Sequence, residues 1–149
     1  MKEIDYLLKK DSSSIFLKDL INIINRSHSL YIYHEMKKYG ISVSQYYFLV
    51  DLSYEDNIIQ EEIAKRKKMN ESSITRALKK LEDQELIQRT PDENNRRKNI
   101  VTFTEKGRKF MKKVKKIDME WEKSATTLLS QKDKEKLKRR LKKVVEAIN

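Results

Sequence analysis

Apolar residues along the chain recur at intervals that change from segment to segment, and each interval implies a different element. From Ile15 to Tyr39 the positions Phe16, Leu20, Ile23, Ile24, Tyr31 and Ile32 keep helical spacing, with Ser12 to Ser14 ahead of them as candidate caps. One long helix is predicted, and Gly40 ends it. Ser42 followed three residues later by Gln45 resembles a capping box that opens a second helix through Leu52. A short third helix over about Gln60 to Lys67 turns Ile63 and Ala64 inward. Asn70 can cap a fourth helix, in which Ile74, Leu78 and Leu81 form a buried stripe while Ser72, Arg76 and Lys79 lie on another face.

The period then falls to two. Leu86 to Arg89 and Asn99 to Phe103 read as strands joined by the polar, basic segment Thr90 to Lys98, which holds Pro91. A hairpin with a charged tip is expected. Beyond Thr104 the helical interval returns in Phe110, Val114, Ile117 and Trp121, to about Leu128. Ser130 and Asp133 suggest a further cap, ahead of Leu137, Leu141, Val144, Val145 and Ile148.

Composition narrows the fold class to mainly α with a small β-hairpin. Two glycines and one proline in 149 residues are too few for the closely spaced turns of an all-β sandwich or barrel. The length suits a single domain, and the spaced apolar groups argue against general disorder. Cysteine is absent, which excludes disulfides and thiolate chemistry and fits a reducing, cytoplasmic setting. The longest apolar run, Tyr46 to Val50, is far below the roughly 20 residues that span a bilayer. A soluble protein that is neither exported by a standard signal nor bound to a membrane is expected.

Net charge is +11, a hint of a polyanionic partner that its distribution sharpens. Residues 1 to 59 carry −1, residues 60 to 104 carry +3 and residues 105 to 149 carry +9. The C-terminal lysines, among them Lys112, Lys113, Lys115, Lys116, Lys142 and Lys143, interleave with an apolar helical stripe. They read as the solvated side of packing helices, with diffuse steering of DNA as the alternative.

A short helix, a turn, a polar-faced helix and a basic hairpin follow one another between residues 60 and 104, in the order of a winged helix-turn-helix whose second helix enters the major groove. The segment from Ile58 to Arg108 resembles the DNA-binding core of the MarR family of transcription regulators, most clearly in SSITRALKKLE, the NNRRK wing and TFTEKGR. The resemblance implies a homodimer that binds double-stranded DNA, commonly a repressor modulated by a small aromatic or anionic effector. It assigns 11–39 and 105–149 to dimerisation helices and 42–104 to the winged helix-turn-helix, all within one domain over 1–149. Four features depart from the family pattern: Glu85 stands in place of a turn glycine, Lys67 and Lys68 in place of Leu-Gly, Ile59 in place of a capping threonine, and Asn95 in place of the wing aspartate.

On this reading Ser72, Ser73, Thr75, Arg76 and Lys79 face DNA, with Arg76 the candidate for a guanine edge because a guanidinium can bond guanine bidentately. Lys65 is a candidate phosphate contact. Arg96, Arg97 and Lys98 fit a minor-groove or phosphate contact; the resemblance makes Arg97 the wing arginine, with Asp92 and Asn95 as supports. The same residues also read as a solvated helix face and a charged loop tip. His28, Tyr31, Tyr46 and Tyr47 could line an effector cleft, although aromatics at helical spacing equally suit a core or interface. His28 and His34 are the only histidines, so a metal site would need carboxylates such as Glu35, and no metal or cofactor is expected. An enzyme is the least supported class, since the chain has no glycine-rich phosphate loop or nucleophile motif. The competing reading is a winged-helix protein-interaction module without specific DNA binding.

Overall fold

The computed structural model describes residues 2–55, 57–68 and 70–149. The chain forms two compact units, one running to Val114 and the other Lys115–Asn149. In the first, α1 (Lys2–Leu8) and a 3-10 turn (Ser12–Ser14) lead into α2 (Leu17–Lys37), α3 (Val43–Tyr54), β1 (Ile58–Ile59), α4 (Gln60–Lys67), α5 (Glu71–Asp83), β2 (Ile87–Pro91) and β3 (Asn99–Phe103). Helix α6 (Glu105–Ala125) begins in the first unit and ends in the second, which also holds α7 (Gln131–Ile148).

Helix boundaries follow local chemistry. Asp11 caps the 3-10 turn formed by Ser12–Ser14, so these serines, expected as caps of the long helix, do not cap α2, which starts after Phe16 with no side-chain cap. Helix α2 stops at Lys37, and the turn that follows closes at Gly40, whose φ of 67° lets the Ile41 and Gly40 N–H groups reach back to the Met36 and Lys37 carbonyls. Ser42 and Gln45 form the full capping box of α3, with each side chain bonded to the other residue's backbone. The end of α5 repeats the α2 solution without glycine. Glu85 adopts φ 59°, and the Leu86 and Glu85 N–H groups return to the Leu81 and Glu82 carbonyls. The turn where the resemblance implies glycine is therefore made at positive φ by a residue with a Cβ, and the Glu85 carboxylate is tied to Lys106 at 2.9 Å.

The hairpin read from the sequence is part of a three-stranded antiparallel sheet in the order β1-β3-β2. Ile58 pairs with Val101 on one side of β3, while Arg89 pairs with Val101 and Ile87 with Phe103 on the other. The sequence reading lacks β1 and α1, because two residues cannot show alternation and seven barely show a helical face. Pro91, expected in the connecting segment, closes β2 instead; this is an outer strand, where a missing N–H is tolerated.

Ile74, Leu78 and Leu81 of α5 are each at most 1% exposed, so the predicted stripe is the side by which α5 seats in the core. Around it lie Leu49 and Leu52 of α3, Ile63 of α4 and Ile87 and Val101 of the sheet, all buried. Gly107 lets the start of α6 approach the sheet, since a methyl group there would run into the Leu86 carbonyl. The opposite side of α5 is left to solvent.

Candidate nucleic-acid interface

Asn70 starts α5: its side-chain oxygen accepts from the Ser73 N–H at 2.8 Å and the Ser72 hydroxyl at 2.9 Å. Ser73 is half-buried behind this cap, whereas Ser72, Thr75, Arg76 and Lys79 are exposed. The buried stripe and this polar face lie on different sides of one helix because positions 72, 76 and 79 share a face that 74, 78 and 81 do not.

Basic side chains in this region fall into two groups. Arg66 bonds Glu55 at 2.6 Å, Lys67 bonds Asp51 at 2.6 Å and Arg89 bonds Glu82 at 2.7 Å, so these cations tie elements together. Lys79, expected on the DNA face, bonds Asp83 at 2.8 Å one helical turn on. By contrast Lys65, Lys68, Arg76, Lys80, Arg96, Arg97 and Lys98 have no ion pair among the described residues. Three of them meet at one place: Lys65, Lys68 and Lys98 line an open concavity of about 430 Å³ with Asn70 at the start of α5, and Glu61 and Glu71 on its wall leave it one positive charge in excess. The positive end of the α5 dipole opens on the same concavity, which adds to its attraction for anions.

Lys68 is a functional candidate that sequence reasoning missed. It caps α4 in the left-handed conformation, φ 50°, and this turn sends its side chain away from the path taken by Arg66 and Lys67. The departure from the family's Leu-Gly thus has two outcomes. Lys67 is absorbed by Asp51 and lies 5.7 Å from the Tyr47 ring, while Lys68 adds charge beside the α5 N-terminus.

The wing is ordered by its polar residues acting on backbone. The Asp92 carboxylate accepts from the Asn94 N–H at 3.0 Å, and the Asp92 N–H donates to the Lys98 carbonyl at 2.9 Å. Asn95 supports Arg97 differently from the side-chain bond its type suggests: its Oδ1 accepts from the Arg97 backbone N–H at 3.2 Å. Both guanidinium-bearing side chains at the tip, Arg96 and Arg97, stay exposed.

The effector candidates form a ring-on-ring cluster between α2 and α3. His28 and Tyr46 meet edge to face at 6.0 Å and Tyr46 and Tyr47 at 5.0 Å; Tyr46 is buried, and Tyr47 lies 3.4 Å from the Ser29 hydroxyl. Tyr31 is half-buried on the same helix. A separate cleft of about 870 Å³ is lined by Tyr39, Ile41, Gln84, Leu86, Phe110 and Lys113. Among the described residues no group of three histidines or carboxylates could hold a metal ion, and no helix is long and apolar enough to cross a membrane.

Residues 41–98 match the model of the MarR family. The chain is similar to a MarR transcriptional regulator from Methanosarcina mazei Go1, at 31% identity and a TM-score of 0.79, over 89% of this chain and 95% of that one. It is also similar to a MarR family transcriptional regulator from Listeria monocytogenes crystallised with a 26mer DNA, at 26% identity and a TM-score of 0.71, over 91% and 89% of the two chains. The HTH-type transcriptional regulator YybA of Bacillus subtilis is 40% identical over 75 residues, so the chain spans about half the length of that relative, and half of this chain is matched (50% and 50%).

Proposed function

This chain belongs to the MarR family of transcription regulators, and from that premise we propose that it is a homodimeric repressor that binds double-stranded DNA sequence-specifically. The carrying observation is the sorting of cations. Arg66, Lys67, Lys79 and Arg89 are held in ion pairs, whereas among the described residues Lys65, Lys68 and Lys98 at the start of α5, Arg76 on its outer face and Arg96 and Arg97 on the wing have none, and neither has the exposed Lys80 of α5. That set supplies a helix for the major groove and a basic tip for an adjacent groove. Ser72, Thr75 and Arg76 address bases, with Ser73 at the margin and Lys79 as a weaker contributor; Lys65, Lys68 and Lys98 address phosphates. Asp92 and Asn95 hold the wing turn.

A second copy of the chain is the partner that the apolar surface calls for. Phe16, Leu20, Ile21 and Ile24 are 41–71% exposed in the first unit, as are Leu137, Leu141, Val145 and Ile148 of the second at 38–77%. Such surface is covered by association in stable proteins. On this proposal residues 11–39 and 105–149 are the dimerisation helices of one functional domain with the winged part at 42–104. Repression is the direct consequence of a dimer occupying duplex that polymerase needs. The effector belongs in the cleft beside Tyr39 and Phe110, where Lys113 would meet an anionic group, rather than among the mutually packed rings of His28, Tyr46 and Tyr47 with the half-buried Tyr31.

The test is titration of the full-length protein with a duplex library at several salt concentrations. Affinity should fall steeply with salt, and a subset of near-palindromic sequences should outlast the rest. Binding that is absent, or insensitive to salt, would overturn the reading in favour of a protein-interaction module.

A further inference from the structure

Thr75 is joined to two residues outside its own helix. Its hydroxyl oxygen lies 3.1 Å from the Gln60 amide nitrogen, Gln60 Oε1 lies 3.4 Å from Arg89 Nη1, and Arg89 Nη2 bonds Glu82 at 2.7 Å. The three links connect α5, the first residue of α4 and the middle of β2.

Direction along this chain is dictated at its charged end. A guanidinium has only donors, so the Gln60 atom that faces Arg89 is the carbonyl oxygen. The amide NH2 of Gln60 must then face Thr75 and donate to it. Thr75 Oγ is thereby an acceptor on its inner side, and its own proton is directed elsewhere. A threonine on a helix commonly disposes of that proton on the carbonyl four residues back, as Thr126, in the turn just past α6, does on Glu122 at 2.7 Å. Thr75 makes no such bond among the described residues, and it is exposed beside Arg76.

We propose that Arg89 and Gln60 polarise the Thr75 hydroxyl, making Thr75 a fixed hydrogen-bond donor that selects an acceptor on a base edge in the major groove. The inference rests on the DNA-binding reading above and deepens it. A freely rotating hydroxyl tolerates either a donor or an acceptor opposite it, whereas one committed inward as an acceptor offers DNA its proton. The matching atoms are purine N7, guanine O6 and thymine O4; the amino groups of adenine and cytosine are disfavoured. Gln60 and Arg89 are positioning residues in this scheme, and Thr75 is the residue that touches the base.

Gln60→Glu reverses the polarity with little change of shape. A glutamate still accepts from Arg89, but its second oxygen faces Thr75 and draws the hydroxyl proton inward. The experiment selects sequences from a duplex library with the full-length parent, then measures affinity for every single-base change in the winning site. Thr75→Val should erase about 2- to 10-fold of preference at one position of each half-site, with an unchanged salt slope, and Thr75→Ser should keep it. Gln60→Glu should erase the same preference at the same position without lowering the melting temperature, and should add nothing to it in a Thr75→Val background. Its extra negative charge weakens all sequences alike and so does not mimic that pattern. Unaltered base preferences in Thr75→Val, or a loss in Gln60→Glu that is uniform over all positions, would overturn the relay while leaving DNA binding intact. A parent that selects no sequence at all would remove both the relay and the reading beneath it.

Discussion

The winged region and the C-terminal unit are both rich in lysine and arginine, yet they use charge in different ways. Residues 105–149 carry +9 against +3 for 60–104, so charge density alone would direct attention to the C-terminus. There, lysines and arginines on α7 flank Leu137, Leu141, Val144, Val145 and Ile148, which are 37–77% exposed. In the winged region Arg66, Lys67, Lys79 and Arg89 are held by carboxylates, while Lys65, Lys68, Arg76, Arg96, Arg97 and Lys98 lie around the N-terminus and outer face of α5 and on the wing without an ion pair among the described residues. A charge already satisfied within the fold gains little from DNA, whereas a solvated, unpaired one can exchange its counterion for a phosphate. Lysines without an ion pair among the described residues also stand on α7, among them Lys132, Lys134 and Lys136, so it is pairing taken together with a place on the helix-turn-helix, rather than total charge, that locates the candidate interface.

The largest effect should come from breaking the apolar half of the comparison. Leu141→Glu together with Val145→Asp places two charges on the α7 stripe, where a dimer would bury them unpaired. More than about 2 kcal/mol of association free energy should be lost. Sedimentation at low micromolar concentration should show the parent at twice 17.9 kDa and the variant near 17.9 kDa. Unchanged mass in the variant would remove α7 from the interface.

Next in size is Arg76→Ala, expected to cost roughly 1–3 kcal/mol on a selected site and much less on random duplex. Equal losses on both would assign Arg76 to phosphate. A direct comparison of the two regions follows from Lys68→Ala and Lys142→Ala, which alter net charge equally. Lys68→Ala should reduce the magnitude of the salt slope by about 1, and Lys142→Ala should leave it unchanged. Equal slopes for the two variants would show that DNA responds to total charge, and the distinction drawn from pairing would fall.

Why the sequence revealed some of this and concealed the rest is clear at residues 65–68. Lys65, Arg66, Lys67 and Lys68 are four consecutive cations with nothing in their type to separate them. Helical rotation carries Arg66 to Glu55 and Lys67 to Asp51, and the left-handed turn diverts Lys68, so their roles are assigned by geometry. The α5 stripe was legible because periodicity is a local property, and so were the caps Ser42, Asn70 and Ser130, each acting within three residues of itself. The chain from Glu82 through Arg89 and Gln60 to Thr75 was not, since it joins three elements. Strand β1 was too short to alternate, and Asn95 gave no sign that its oxygen would be taken by backbone.

The smallest expected effect concerns the pairing itself. The hydrogen bond from Arg89 holds the Glu82 carboxyl below its ordinary value of 4.5, with burial opposing the shift. A carboxylate whose value is lowered by folding contributes stability that is fully present above 4.5 and is lost as pH falls through the lowered value, because the unfolded chain takes up the proton more readily. With Arg89 and Glu82 side chains 17% and 30% exposed, solvent screening keeps the contribution under about 1 kcal/mol. Glu82→Gln should therefore melt slightly lower than the parent at neutral pH, and the gap should close on acidification below 4.5. A Glu82→Gln gap that stays constant from neutral to acid pH would mean that the carboxylate stabilises the winged region by shape rather than by charge, and the paired cations would lose their claim to a separate class.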